Sequence, residues 1–587
     1  MKRLIAVLLA LLLLSGCGTK ESEPMATETP AVPTAPVQTE ETVEEVAFQS
    51  RFSSETLIEL SDSGIKAADL AVFASNDIIY YEDKDLYESG NPYGEGEAAD
   101  KHSADEAATH TVVNITKPGK YRVTGKLSAG QIRVDLGEDA YDDETAVVEL
   151  ILDNADITCT VAPAILFLNV YECDGSWSED TAKPDVDTTK AGASLILEGE
   201  NTVNGSYVAR IYKDKAGEKK LWKQDGAIYS YMSMNVFGPG KLTLTAENEG
   251  MDTELHLTIN GGDIAIRAGN DGINTNEDGV SVTTINGGNL HIIAGLGAEG
   301  DGIDSNGYLV INGGNVFSAA HPAADAGLDS DLGSYIHGGT VLALGSTMDW
   351  AESDSEQVTM NLQYASYRKA GEKILVTKED GTEIFAYDPA ADALLGENAR
   401  MFMGAVISCP DFKQGETYLV YTGTEQMQYT GTDVRRGPGG FGGGRPEDFG
   451  GQPPEGFDGE MPEGFGGRMP EGFDGKMPEG FGGRMPEGFE GKKPEGFGGQ
   501  MPEGFEGQPP EGWEPGQWGE PPEGFDGQMP AWPEGEQPEG FGGGKGGNRG
   551  NRDENGNRFG QTQGESSTAF YMQDKVNAFS GLTAANQ

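Results

Sequence analysis

Four stretches of this chain place oxygen-bearing side chains at matching positions. They read Glu249-Gly250-Met251-Asp252-Thr253-Glu254, Asp271-Gly272-Ile273-Asn274-Thr275-Asn276, Asp301-Gly302-Ile303-Asp304-Ser305-Asn306 and Ala326-Gly327-Leu328-Asp329-Ser330-Asp331. Aligned on the glycine, they give three columns. The first holds Glu249, Asp271 and Asp301; the second Asp252, Asn274, Asp304 and Asp329; the third Glu254, Asn276, Asn306 and Asp331. Stacked about 5 Å apart, two carboxylates repel by roughly 1 kcal/mol at the dielectric constant of water, and by several at an effective value near 20. A hard divalent cation reverses that sign. Calcium takes about 6–8 oxygens and accepts carboxylate, amide and backbone carbonyl donors together. Neither His nor Cys stands in the columns, which argues against zinc, copper and iron. The competing reading is conformational: Asp-Gly and Asn-Gly form turns, and Asn ladders brace stacked strands. For one Asp that reading suffices. The four-stretch register favours Ca2+, with Asp304 and Asp329, flanked by Asp301 and Asp331, as leading candidates.

Something must hold these stretches in register. The pairs Gly261-Gly262, Gly287-Gly288, Gly313-Gly314 and Gly338-Gly339 recur at steps of 26, 26 and 25. Each follows a short strand pattern ("LHLTIN", "VSVTTIN", "YLVIN", "SYIH") and precedes another ("DIAIRAG", "NLHIIAG", "NVFSAA", "TVLALGS"). The period is too short for a propeller blade and lacks a leucine-rich pattern. It fits one turn of a right-handed parallel β-helix, with rungs about 4.8 Å apart. A meandering β-sandwich is the alternative. From about Val112 onward, alternating apolar and β-branched residues with Gly, Asn and Asp punctuation predict strands throughout. After Trp350, "VTMNLQYASY", "KILVTKEDGTEIFAYDP" and "GETYLVYTG" predict a small antiparallel unit closing the last rung. The expected fold is therefore all-β: a right-handed parallel β-helix, a small C-terminal antiparallel β cap and a long disordered Gly/Pro-rich insertion.

Composition narrows the partners. Against 41 Lys and Arg stand 96 Asp and Glu, a formal net charge of -55, which argues against nucleic acid. An acidic ligand would need a cation between it and such a surface. The opening "MKRLIAVLLALLLLSGC" pairs two bases with an apolar run too short to span a membrane. Its end, Leu14-Ser15-Gly16-Cys17, resembles a bacterial lipobox, so cleavage before Cys17 and lipidation of its sulfur are expected. A polar linker follows. The chain is thus expected to be a lipoprotein held by its N-terminal lipid on the extracellular face of the bacterial cell membrane. Cys159, Cys173 and Cys409 remain, either with one bridge, conceivably Cys159 to Cys173, or all unpaired. Further on, Pro462, Pro470, Pro478, Pro486, Pro494, Pro502 and Pro510 recur every 8 residues in units such as "MPEGFGGR", a spacer composition with little to bury.

Several strings resemble one bacterial family: "CTVAPAILFLNVYECD", "VARIYKD", "DGAIYSYMSMNV", "NDGINTNEDGVSVTTINGG", "GDGIDSNGYLVINGG" and "AGLDSD". This is the clostridial carbohydrate-binding parallel β-helix family of cellulose- and polygalacturonate-binding surface proteins. The resemblance implies bound calcium, affinity for cellulose or for an acidic plant polymer such as polygalacturonate, and an architecture like that of pectate lyases. The expected divisions are a signal peptide (1–16), a linker (17–54), a carbohydrate-binding β-helix (55–350), a β cap (351–436), the low-complexity repeat (437–565) and a terminal segment (566–587) packing on the cap. Tyr308, Tyr335, Trp350, Tyr229 and Tyr231 are near enough in sequence to stack on sugars, although packing is the favoured reading of each. Arg267 and His291 follow the acid turns on strands and Lys223 precedes them, but none recurs or sits inside the acid columns. The expectation is polysaccharide binding. The alternatives are a calcium-dependent polysaccharide lyase and a surface adhesin that binds no sugar.

Overall fold

In a computed structural model, residues 47–81, 102–175, 178–179, 181–211, 222–323, 325–346, 349–392, 399–432 and 566–585 are described. The expected signal peptide, the expected lipidation site Cys17 and the Gly/Pro repeat lie outside them.

Strands dominate, and most pair in parallel. The segment from Glu249 to Gly345 lays successive strands into three columns in turn. Glu249–Thr253, Ile273–Thr275 and Ile303–Ser305 pair in one column, continuing upstream through Gly226–Ser230 and Ile165–Asn169. Leu257–Ile259, Val282–Ile285, Tyr308–Ile311 and Gly333–Ile336 pair in the second. Asp263–Ala268, Asn289–Ile293, Asn315–Ala319 and Thr340–Gly345 pair in the third. The second and third columns belong to one sheet and the first to another.

The alternation of the sequence explains the packing, because successive strand residues point to opposite faces. Met251, Ile273, Ile303 and Leu328 are wholly buried and follow one another from rung to rung. Ile259, Ile285, Ile311 and Ile336 form a second such ladder, and Leu242, Ile264, Leu290, Val316 and Val341 a third. Each buried Ile or Leu contributes about 1.5–3 kcal/mol relative to exposure. Thr275 and Ser305 also point inward, and their hydroxyls pair at 2.9 Å instead of remaining unsatisfied.

Both ends of the columns are covered. Val72–Ser75 runs antiparallel to Thr111–Ile115 at the N-terminal end. Phe402–Ser408 runs antiparallel to both Thr340–Gly345 and Thr359–Arg368, so the last rung of the third column has no bare edge. The C-terminal strand Val576–Ala584 pairs in parallel with Thr359–Arg368, and Phe570–Tyr571 pairs with Thr417–Thr422. This unit has its own core around Met360, Tyr364, Phe402, Tyr418, Phe570 and Phe579. It meets the columns through a ring stack, His291 on Phe317 on Tyr387, and through Arg400, which donates to the carbonyls of Ala294 and Gly295. One four-residue helix, Ala104–Ala107, occurs among the described residues, capped by Ser103. Cys159, Cys173 and Cys409 are all free thiols, so the Cys159–Cys173 bridge is not formed.

Candidate carboxylate site

The acid stretches lie on the first column, and strand register sets their neighbours. Tyr229 opposes Asp252, Asp252 opposes Asn274, and Asn274 opposes Asp304. Asp329 extends the series, since its amide donates to the Ile303 carbonyl at 2.8 Å and its own carbonyl accepts from Ser305. The neighbouring positions stack too. Gly250 donates to Asp271, Gly272 to Asp301 and Gly302 to Ala326, which carries Glu249, Asp271 and Asp301 up a parallel line. Asn276 donates to Thr253, Asn306 to Thr275 and Asp331 to Ser305, which aligns Glu254, Asn276, Asn306 and Asp331.

Within this array the acids are used differently. Asp271 accepts from the amide of Asp301 at 2.6 Å, and Asp301 from that of Ala326, so each ties one carboxylate oxygen to the next rung. That is the conformational role the turn chemistry suggests. Asn306 donates to the Asn276 carbonyl and to Asp278, while Glu254 accepts from the Tyr229 hydroxyl. At the upstream end the side chains are not consumed in this way. Glu249 Oε2, Asp252 Oδ2 and Asn274 Oδ1 are buried without a hydrogen-bond partner, although Asn276 donates to the other Asp252 oxygen at 2.7 Å. Leaving such atoms bare costs about 1–3 kcal/mol each, and more for charged groups.

Among the described residues, one group of three acids brings oxygens within 4.8 Å of one another: Asp225, Glu249 and Asp252. The leading candidates from the sequence, Asp304 and Asp329 with their flanking acids, form no such group among the described residues. Asp225 is absent from the sequence columns for a definable reason. Gly226, not Asp225, is the strand partner of Glu249, so its Asp-Gly pair is one residue out of step with the later rungs. The signal available was that pair itself, just ahead of the first aligned rung. Asp278, Asp325 and Asp349 were missed as well. They border the array from turns, bonding Asn306, the Gly300 amide and Ser330.

Crowding and burial shift the titration of the whole group. Burial, then Asp252 and Asp225, hold the Glu249 carboxyl well above the usual range; burial, then Asp225 and Glu254, do so for Asp252. Asp271 and Asp301 are raised by burial and by neighbouring acids. Asp304 is pushed up to about 7 by burial, then Asp329 and Asp331, and Glu277 to about 7 by burial, then Glu254 and Asp278. Lys223 Nζ lies 2.7 Å from Asp225. Burial pulls its pKa down, but Asp225, Glu249 and Asp252 outweigh that and hold it well above the ordinary value. The lysine is therefore a fixed cation, poorly suited to accept a proton. Arg267 and His291 lie on the third column, where His291 is bonded to Asp392.

The donor set fits a hard cation. Carboxylates and an amide carbonyl are oxygen ligands, three of their oxygens are buried and unpaired, and mutual repulsion is what a divalent ion would relieve.

Parallel strands bearing stacked acids on one sheet define an all-β protein with an oxygen-rich array of carboxylates and amides. The chain belongs to the family of carbohydrate-binding domain-containing proteins, whose model matches residues 109–408, just over half of the sequence. A carbohydrate-binding domain-containing protein of Acetivibrio thermocellus is 29% identical over 174 residues, which cover 29% of this chain. The match spans 51% of that relative's length. A solved polysaccharide lyase-like protein from C. thermocellum, in a gadolinium derivative, aligns with 49% of this chain and 93% of its own at 22% identity and TM-score 0.29.

Proposed function

We propose that this protein is a lipid-anchored surface protein that binds polysaccharide through a calcium-bearing right-handed parallel β-helix. Its best-suited ligand is an acidic polymer of the polygalacturonate kind, with cellulose as the neutral counterpart. The observation that carries this reading is the set of buried, unpaired oxygens on Glu249, Asp252 and Asn274 beside Asp225. These four residues would hold the ion, with the acids of the later rungs extending a negative surface along the stack. When bound, calcium offers remaining coordination positions to uronate carboxylates, which this chain's own charge would otherwise repel. Lys223 supplies a second positive group beside the same acids. The strand columns give an extended, regular surface suited to an extended chain, and the family supplies the carbohydrate. Lys223, held protonated, favours binding over the proton abstraction that a lyase requires.

The test uses the purified chain in gels containing polygalacturonate, with calcium or with EGTA, alongside metal analysis after dialysis. Calcium retained after dialysis and retardation lost in EGTA are expected. The double variant E249Q/D252N should lose both. A parent protein that holds no calcium, or that is retarded equally in EGTA, would overturn the cation-bridged reading. Accumulation of unsaturated uronates during long incubation would replace binding by lyase chemistry.

A further inference from the structure

The structure separates the five aromatic side chains that the sequence placed near the acid stretches. Tyr229 is wholly buried and Tyr231 nearly so, packed edge-on against each other. Trp350 packs against the main core. Tyr308 and Tyr335 are half-buried on adjacent strands, with ring centroids 6.2 Å apart. His337 extends the line, its ring stacked at 6.1 Å from Tyr335.

Their place follows from the alternation of the rungs. Along one rung, Asp304, Asn306, Tyr308 and Asn312 fall on one alternation, interrupted by the buried Val310, the strand partner of Tyr335, while Ser305, Leu309 and Ile311 are buried on the other. Along the next, Asp329, Asp331, Tyr335 and His337 fall on the matching alternation while Ser330, Ser334 and Ile336 are buried. The acid columns and the ring strip are thus neighbouring parts of the same rungs, joined through the turn at Asn306-Gly307. The strand partner of Tyr308 on the next rung is Gly333, which has no side chain of its own, and the Glu352 side chain lies against that glycine. Beside it runs an amide ladder, Asn312 donating to Asn286 and Asn286 to Asn260, each at 2.8 Å. Asn312 is the exposed end of that ladder and can meet hydroxyl groups.

We propose that Tyr308, Tyr335 and His337 form a sugar-stacking surface that takes the apolar faces of neutral pyranose rings, as a subsite distinct from the carboxylates. The inference rests on the carbohydrate-binding reading but not on the cation. Rings offer a rigid apolar face at low entropic cost, amides supply orientation, and the sheet spacing presents both in line. A polymer chain lying across the two rungs would meet carboxylates through an ion on one side of the turn and rings on the other. Acidic and neutral polysaccharides would then use overlapping but separable parts of one surface.

The experiment uses the full chain and two soluble probes, hydroxyethylcellulose and polygalacturonate, each in gels with calcium or EGTA. Tyr335→Ala and Tyr308→Ala should each weaken retention on hydroxyethylcellulose by about tenfold, whether or not EGTA is present. Tyr335→Phe, which keeps the ring, should retain the parent's affinity. Thermal melts matched to the parent establish that the variants fold; Tyr335→Leu replaces Tyr335→Ala if the latter melts early. Unchanged retention in the ring-less variants overturns the proposal, as does Tyr335→Phe failing like Tyr335→Ala, or a parent that ignores the neutral polymer. Polygalacturonate binding that resists EGTA would instead sink the cation-bridged reading alone.

Discussion

At Gly302 a β-carbon would stand 1.9 Å from the Ser318 hydroxyl oxygen and 2.5 Å from the Gly327 carbonyl oxygen. Gly272 would meet Ile292 at 2.2 Å, and Gly250 the Gly272 carbonyl at 2.3 Å. None of the three has a left-handed φ. The glycine common to the acid stretches is therefore there for space, where the first column turns against the inside of the third, and not for turn dihedrals. Gly302→Ala should destabilise the protein by about 1–3 kcal/mol, read as a lower denaturation midpoint. Ser318→Gly in the same chain should recover part of the loss, because it removes the nearest atom. A midpoint unmoved by Gly302→Ala would show that the rungs can separate freely. The spacing of this residue was legible in the sequence. Its reason was not, because nothing along the chain says that Ser318 lies opposite.

The closing elements depend on a strand remote in sequence. Val576–Ala584 pairs with Thr359–Arg368 and also with residues of Glu425–Gln428 and Gly431–Thr432. Phe579 from this strand packs on Phe570 and Tyr429 inside the second core, at ring distances of 4.9 and 4.8 Å. Phe579→Ala should cost about 3–5 kcal/mol locally. Limited proteolysis should then cut within residues 359–432 well before the parallel columns, and simultaneous loss of both regions would mean that they unfold as one unit. The renewed apolar content of "FYMQDKVNAFSG" is what made this segment readable. The regular rungs were readable because Gly-Gly pairs mark them, and the buried alternation is written in Ile, Leu and Val. Earlier rungs hide for a physical reason. Gly119–Leu127 and Val148–Thr158 are long strands that bend through register shifts, with Gly125 and Asn154 at positive φ, and so show no fixed period. Asp225 escaped for a separate reason, the one-residue offset of its Asp-Gly pair from the later rungs.

For the molecule as a whole, the acid array makes stability depend on protons and, under the proposed calcium reading, on metal, each relieving the same repulsion. Groups such as Asp304 and Glu277 are raised to about 7 by burial and neighbouring acids, and Glu249, Asp252, Asp271 and Asp301 are also raised. In the unfolded chain the same side chains titrate near about 4. Between these values the folded state holds protons that the unfolded state has released, so unfolding becomes easier as pH rises. Acids with lowered pKa act the other way, but only in stronger acid; Glu55, lowered chiefly by its hydrogen bond to Arg122, is one. Metal-free protein in EGTA should therefore melt at a lower temperature at about pH 8 than at about pH 5. An ion that binds only the folded state adds stability in proportion to RT ln(1 + [L]/Kd), and protons compete for its ligands. Calcium should accordingly raise the melting temperature more at the higher pH and shrink or reverse the EGTA slope. E249Q/D252N, which keeps shape but removes two charges, should flatten the slope in EGTA and abolish the calcium shift. A parent protein whose melting temperature in EGTA is independent of pH over this range would mean that the buried acids are already neutralised by Lys223 and by solvent. The repulsion that motivates a cation at Asp225, Glu249 and Asp252 would then be absent.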